Sequence, residues 1–178
     1  MDPRWKKALA IGWMIAALCA WPMPQVASEP GRGQNSLEAI ARSCATPEQL
    51  ARFLQAKISF QDDARQFGRP DYWQDPEELL TRGKGDCEDY ALLAQAVLSR
   101  QGIEAFVFSL YGEGGYAHTV CVFEEDGGYN VINEDRLIRY RARSLQELAT
   151  ELYPRWIWGA VAQKTGHRGR AGRQILRS

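Results

Sequence analysis

Cys87 stands in Gly85-Asp86-Cys87-Glu88-Asp89-Tyr90-Ala91, where an apolar helical pattern begins. Asp86 is a good N-cap, which makes Cys87 the first helical residue. Free backbone N–H groups and the helix dipole favour a thiolate there. The amide of Cys87 itself is available to an oxyanion at the same place. A structural cysteine that happens to follow a cap has the same local pattern. The chain has two histidines, His118 and His167, and His167 lies in a basic C-terminal segment, so a general base for Cys87 must be His118. Asn133 follows on the next strand. Cysteine, histidine and a carboxamide in that order are the parts of thiol-based acyl transfer: a nucleophile, a base, and a group that holds the imidazole. A metal–thiolate site built from Cys87 and His118 lacks further ligands at suitable spacing.

The elements that must position these residues are legible in turn. Ser36 caps a short helix to about Cys44, with Leu37, Ile40 and Cys44 on one face. Thr46-Pro47-Glu48-Gln49 starts a second helix, with the cap, a proline at the first helical position and a capping-box glutamine. Asp75-Pro76-Glu77-Glu78 starts another, stopped near Gly83 and Gly85. Cys87 to about Arg100 is a longer buried helix with Gly102 as its stop. From Ile103 the apolar period changes to two. Strands are predicted over Ile103–Leu110, Ala117–Glu124 and Tyr129–Glu134, the last two as a hairpin across Glu125-Asp126-Gly127-Gly128. Ser144-Leu145-Gln146-Glu147 opens a last helix and Trp156–Val161 reads as a strand. Helices first and antiparallel strands later make an α+β domain. If Glu124 pairs with Tyr129, then Val122 pairs with Val131, and His118, Asn133 and Asp135 share one face, with Cys121 on the other.

These residues also carry a family resemblance. Gly85–Ala91, Ala117-His118 and Tyr129-Asn130-Val131-Ile132-Asn133 resemble the three motif blocks of the transglutaminase-like superfamily, and most of all the bacterial transglutaminase-like cysteine proteinases, including the LapG-type periplasmic proteases. Tyr72-Trp73-Gln74 with Pro76, and Gly83-Lys84-Gly85, are similar to that group too, so the resemblance spans about residues 60–138. It implies a papain-like, transglutaminase-like core with N-terminal helices packed on an antiparallel sheet. It implies Cys87 as nucleophile, His118 as base and Asn133 as the third residue. The superfamily usually has Asp at that third position, so Asn133 is a departure and Asp135 is the fallback. Trp73 and Gln74 are candidates for a second oxyanion donor by analogy. LapG-type proteases are calcium-dependent, and here Asp86, Glu88 and Asp89 place three carboxylates within a turn of Cys87. Uncompensated, they oppose thiolate formation; a bound Ca²⁺ would neutralise them and prefers such oxygen ligands. Acids in a first helical turn also serve as ordinary caps. The chemistry itself requires no cofactor.

The expected function is therefore that of an exported cysteine peptidase or amidase, hydrolysing a protein or peptide amide through a Cys87 thioester. A cross-linking transglutaminase and a non-catalytic binding domain are the alternatives. At 178 residues the chain is long enough for one well-cored domain. Arg4, Lys6 and Lys7, the charge-free apolar run of 14 residues from Ala8 to Trp21, and Val26-Ala27-Ser28 predict a signal peptide over residues 1–28, and hence a periplasmic or secreted protein. A retained anchor is the weaker alternative, because a spanning helix needs about 20 apolar residues. The formal charge is zero, but residues 1–28 carry +2 and residues 163–178 carry +5, leaving −7 on the domain at 29–162. An acidic domain argues against a nucleic-acid partner. The Gly-rich basic segment 163–178 reads as disordered, solvated or in contact with an anionic envelope surface. A single-domain monomer is expected. Cys44 and Cys121 are left as a disulfide or as two buried free thiols.

Overall fold

The computed structural model describes residues 36–162 and 173–177, so the expected signal peptide and most of the basic segment lie outside the described residues. In chain order the elements are α1 (Leu37–Ser43), α2 (Pro47–Lys57), β1 (Ser59–Phe60), α3 (Asp63–Phe67), α4 (Pro76–Arg82), β2 (Lys84–Gly85) and α5 (Cys87–Arg100). They are followed by β3 (Ala105–Gly112), β4 (Ala117–Glu125), β5 (Gly128–Asn133), β6 (Arg136–Ala142), α6 (Leu145–Leu152), β7 (Trp156–Ala162) and β8 (Arg173–Arg177). The helix starts lie where side-chain oxygens can replace the missing intrahelical acceptors. Ser36 Oγ accepts from the Ala39 amide at 3.3 Å, Thr46 Oγ1 from Gln49 at 3.3 Å, and Ser144 Oγ from Glu147 at 3.1 Å.

Six strands form one antiparallel sheet in the order β6-β5-β4-β3-β7-β8, and β1 and β2 form a separate parallel pair. The hairpin register matches the sequence expectation, with Glu124 opposite Tyr129 and Val122 opposite Val131. Its turn is tighter than expected. Asp126 and Gly127 both have positive φ, 55° and 74°, the geometry of a two-residue hairpin turn that keeps the strand twist. Strand alternation divides the core in two. Val107, Cys121, Phe123 and Ile132 pack with α1, α2, α4 and α5, whereas Phe108, Leu110, Val120, Val122 and Val131 pack with α6. Leu93, Ala94, Val97 and Leu98 of α5 are fully buried, so this helix is a fixed core element whose N-terminus carries Cys87.

Two elements differ from the sequence expectation. Arg173–Arg177, read as part of a disordered tail, pairs along β7, with Trp158 opposite Arg177 and Ala162 opposite Arg173. Without that partner, β7 would present an open row of backbone donors and acceptors. β6 was not anticipated, because its arginines mask the alternation of Ile138, Tyr140 and Ala142 that face α6; Arg139 is held by Glu125 at 2.8 Å and by Glu48. Of the two states the sequence left open for Cys44 and Cys121, the structure has two buried free thiols, within one apolar cluster.

β1 and β2 carry the most demanding local fit. Their parallel register places Ser59 beside Lys84 and Phe60 beside Gly85. A Cβ on Gly85 would lie 2.4 Å from Asp89 Oδ2 and 2.7 Å from Leu79 Cδ1, inside van der Waals contact. Gly85→Ala is therefore expected to cost about 1–3 kcal/mol, the usual range for overpacking, as a lowered urea midpoint. An unchanged midpoint would show that the Asp89 carboxylate moves aside freely.

Candidate active site

A cleft of about 350 Å³ opens where β4 begins and α5 begins. Cys87, Asp86 and Glu88 border it from the helix, Ala117, His118 and Thr119 from the strand, and Pro70, Asp71 and Trp73 from the loop before α4. Tyr111 closes it from β3, its ring stacked 3.8 Å from Trp158 of β7. The thiol and the imidazole thus share one cleft, though they are 31 residues apart in sequence.

His118 and Asn133 form a direct pair, Nε2 to Oδ1 at 2.7 Å. A carboxamide oxygen can only accept, so Nε2 carries the hydrogen and donates, and the free lone pair is left on Nδ1. Asn133 therefore selects the tautomer. Asp135, the alternative partner from the sequence, pairs instead with Arg136 at 3.9 Å.

The thiol is turned toward an acid. Cys87 Sγ donates to Glu88 Oε2 at 3.2 Å. Burial and then the Glu88 carboxylate push the thiol well above its ordinary range, while the Thr119 backbone amide acts weakly the other way. The surrounding carboxyls are similarly perturbed. Asp86 is pushed up to about 8, by burial first and then by the bond and charge of Glu88. Burial also raises Glu88. Asp86 and Glu88 form a close acid pair, and a retained proton relieves its repulsion.

Further carboxylates join this pair. Ligand oxygens of Asp63, Asp86 and Asp89 lie within 4.8 Å of one another, as do those of Asp63, Asp71 and Glu88. Asp63 is 2% exposed, and its Oδ1, like Asp86 Oδ1, is buried with no hydrogen-bond partner. Buried, unpaired acceptors that face other acids fit a hard cation with oxygen ligands. Asp63 and Asp71 were missed from the sequence. Asp63 is delivered by the β1–β2 pairing, which sets the chain after Phe60 beside the chain after Gly85.

Asp89, expected as a ligand, is largely committed inside the fold. Its Oδ1 accepts from the Gln74 amide at 2.7 Å, and its Oδ2 accepts from Gln74 Nε2 and from the Asp86 amide at 3.3 Å. Gln74, considered as an oxyanion donor, is 0% exposed, and its Nε2 is used by Asp89 and by the Lys84 carbonyl at 2.9 Å. It does not border the cleft. Trp73 does, with its Nε1 donating to Asp71 Oδ1 at 3.1 Å.

A thiol on the first turn of a buried helix, sharing a cleft with a histidine–carboxamide pair on an antiparallel sheet, is the arrangement expected of the transglutaminase-like class. The chain belongs to the bacterial transglutaminase-like cysteine proteinases, whose family model matches residues 18–143. Among solved structures it resembles calcium-bound LapG of Legionella pneumophila at 18% identity and a TM-score of 0.47, covering 70% of each chain. It also resembles EGTA-treated LapG of the same organism, at 16% identity and TM-score 0.45, over 74% of this chain and 69% of that one. A TGase crystal structure matches at 15% identity and TM-score 0.43, over 71% of this chain and 38% of the other. No curated protein sequence matches the chain.

Proposed function

We propose that this protein is an exported cysteine peptidase or amidase acting on a protein or peptide substrate, with Cys87 as nucleophile, His118 as general base and Asn133 as the residue that holds the base. The observation that supports this most is the 2.7 Å His118–Asn133 bond, which leaves Nδ1 as the proton acceptor in the cleft that also holds Cys87. The thiol turns from Glu88 toward His118 and passes its proton to Nδ1, and the sulfur attacks the substrate carbonyl carbon. The carbonyl oxygen takes up the negative charge, stabilised at the helix N-terminus by the Cys87 amide. As the C–N bond breaks, His118 returns the proton to the departing nitrogen, leaving a thioester. Water then gives a proton to His118 and its oxygen to the acyl carbon, and the thiol is restored. Export rests on the N-terminal basic, apolar and small-residue pattern over residues 1–28.

We further propose that Asp63, Asp71, Asp86 and Glu88 hold a calcium ion. The buried, unpartnered oxygens of Asp63 and Asp86 fit it, Asp63 being common to both groups of converging carboxylates, and it would supply positive charge beside the thiol.

The test is the alkylation rate of Cys87 by iodoacetamide against pH in saturating calcium, mapped by peptide mass spectrometry. Rapid labelling well below the free-thiol pKa of about 8.5, slowed at least tenfold in His118→Ala, is the expected result. An ordinary thiol profile unchanged by that substitution would leave a binding domain as the better reading. Asn133→Ala is expected to slow the same labelling about tenfold, since an unheld ring loses its tautomer and orientation, a loss comparable to that of other outer-shell partners of a reacting histidine. Asn133→Ala labelled at the wild-type rate would remove Asn133 from the proposed machinery.

A further inference from the structure

Trp73 forms one wall of the cleft. It is 41% exposed and borders the cleft that contains Cys87 on one side. It also borders a second recess of about 340 Å³ that includes Leu92, Gln95 and Ala96 of α5. Its indole Nε1 donates at 3.1 Å to Asp71 Oδ1 of the same loop, so its position depends on how that loop is held. The next residue, Gln74, is fully buried. Its backbone amide donates to Asp89 Oδ1 at 2.7 Å, and its Nε2 donates to Asp89 Oδ2 and to the Lys84 carbonyl at 2.9 Å. Asp89 in turn accepts from the Asp86 amide, immediately before Cys87. One buried carboxamide thus ties together the wall loop, the strand before the thiol and the first turn of α5.

We infer that Gln74 is a positioning residue: acting through Asp89, it sets the distance between the Trp73 wall and Cys87, and so the width of acyl group that reaches the sulfur. This rests on the proposed role of Cys87. Gln74 touches neither the thiol nor the cleft. Buried hydrogen bonds to a carboxylate are strong and directional, so they fix the backbone of the loop that carries the wall. The close approach at Gly85 shows how little room the knot has, because the Asp89 carboxylate occupies the position of a Cβ.

The experiment compares Cys87 labelling by a small reagent, iodoacetamide, with labelling by a bulky one, fluorescein maleimide, in native protein at fixed pH. Gln74→Glu keeps the shape and the backbone bond but loses both side-chain donors; Gln74→Met removes them without adding charge. Both are expected to raise the bulky-to-small rate ratio by at least fivefold, with the circular dichroism spectrum retained. The double variant Gln74→Met/Asp89→Asn should match Asp89→Asn alone, since the two residues act in series. A lowered melting temperature with an unchanged ratio in the variants that fold would overturn the proposal, because a merely stabilising residue leaves the ratio alone. Additive effects in the double variant would also overturn it. Failure of the proposed catalytic role has a different signature: slow labelling by both reagents in the wild type, insensitive to His118→Ala.

Discussion

Adding calcium to protein stripped with EGTA is expected to speed iodoacetamide labelling of Cys87 at pH 7 by about tenfold to thirtyfold. In the structure the thiol is raised first by burial and then by Glu88, whose carboxylate accepts its hydrogen bond at 3.2 Å. A cation held by Asp63, Asp71, Asp86 and Glu88 would withdraw that negative charge from the sulfur and free the thiol from its acceptor. Each unit by which a thiol pKa falls toward the working pH raises the thiolate fraction tenfold. Lower intrinsic nucleophilicity returns part of this, leaving about threefold net per unit. Burial, the larger cause, persists when the charge is neutralised, so the gain stays within the stated range rather than recovering the whole shift. Glu88→Gln, which deletes the neighbouring charge, should label faster than wild type in EGTA and respond weakly to calcium. Equal wild-type rates in EGTA and calcium, with Glu88→Gln like wild type, would remove both the cation and the acid from the control of Cys87.

The second large effect is on stability. With EGTA present, the folded protein should lose stability as the pH rises from about 4 to about 8, by on the order of 2 kcal/mol. Asp86 has a folded pKa of about 8 against an ordinary value of 3.8, so across that interval the folded state binds more protons than the unfolded one. Its contribution is fully present below the unfolded pKa and is lost as the pH passes through the folded one. At about 1.4 kcal/mol per unit the full shift would give more, but Asp86 is partly solvated and shares its titration with Glu88, which reduces the effect. Asp86→Asn removes this charge and caps the helix equally well. Its urea midpoint should therefore change little between pH 5 and pH 8. Calcium should reverse the wild-type slope, because cation binding requires the deprotonated carboxylates and strengthens as pH rises. A wild-type midpoint in EGTA that is flat or rises over this interval would contradict the reading of Asp86 as a buried, protonated acid.

Both effects arise from the acid cluster, which was only half legible. Asp86, Glu88 and Asp89 could be read around Cys87, but Asp63 could not, because a two-residue parallel pairing brings it there. Asp89 lies in the acid cluster, as the sequence suggested, but it also accepts from the Gln74 amide and side chain, across 15 residues of chain, and this bonding keeps Gln74 away from the cleft. The second sheet edge was hidden for a related reason. Arg173–Arg177 is a basic segment that follows Gly172 and has weak local signals, and it becomes a strand by pairing with β7.

What the sequence by itself determined are the features that follow from backbone periodicity. Asp86 and the apolar stripe of α5 place Cys87 on a first helical turn. The two-residue alternation of β4 and β5 puts His118 and Asn133 on one face, as their 2.7 Å bond bears out. Composition left His118 as the one histidine able to face Cys87. Only the tertiary structure decided which carboxylates meet, which of them burial raises, and that the thiol is turned to Glu88. Those outcomes depend on burial and on pairings distant in sequence, through electrostatics that strengthen as water is excluded, and no local pattern of residues encodes them.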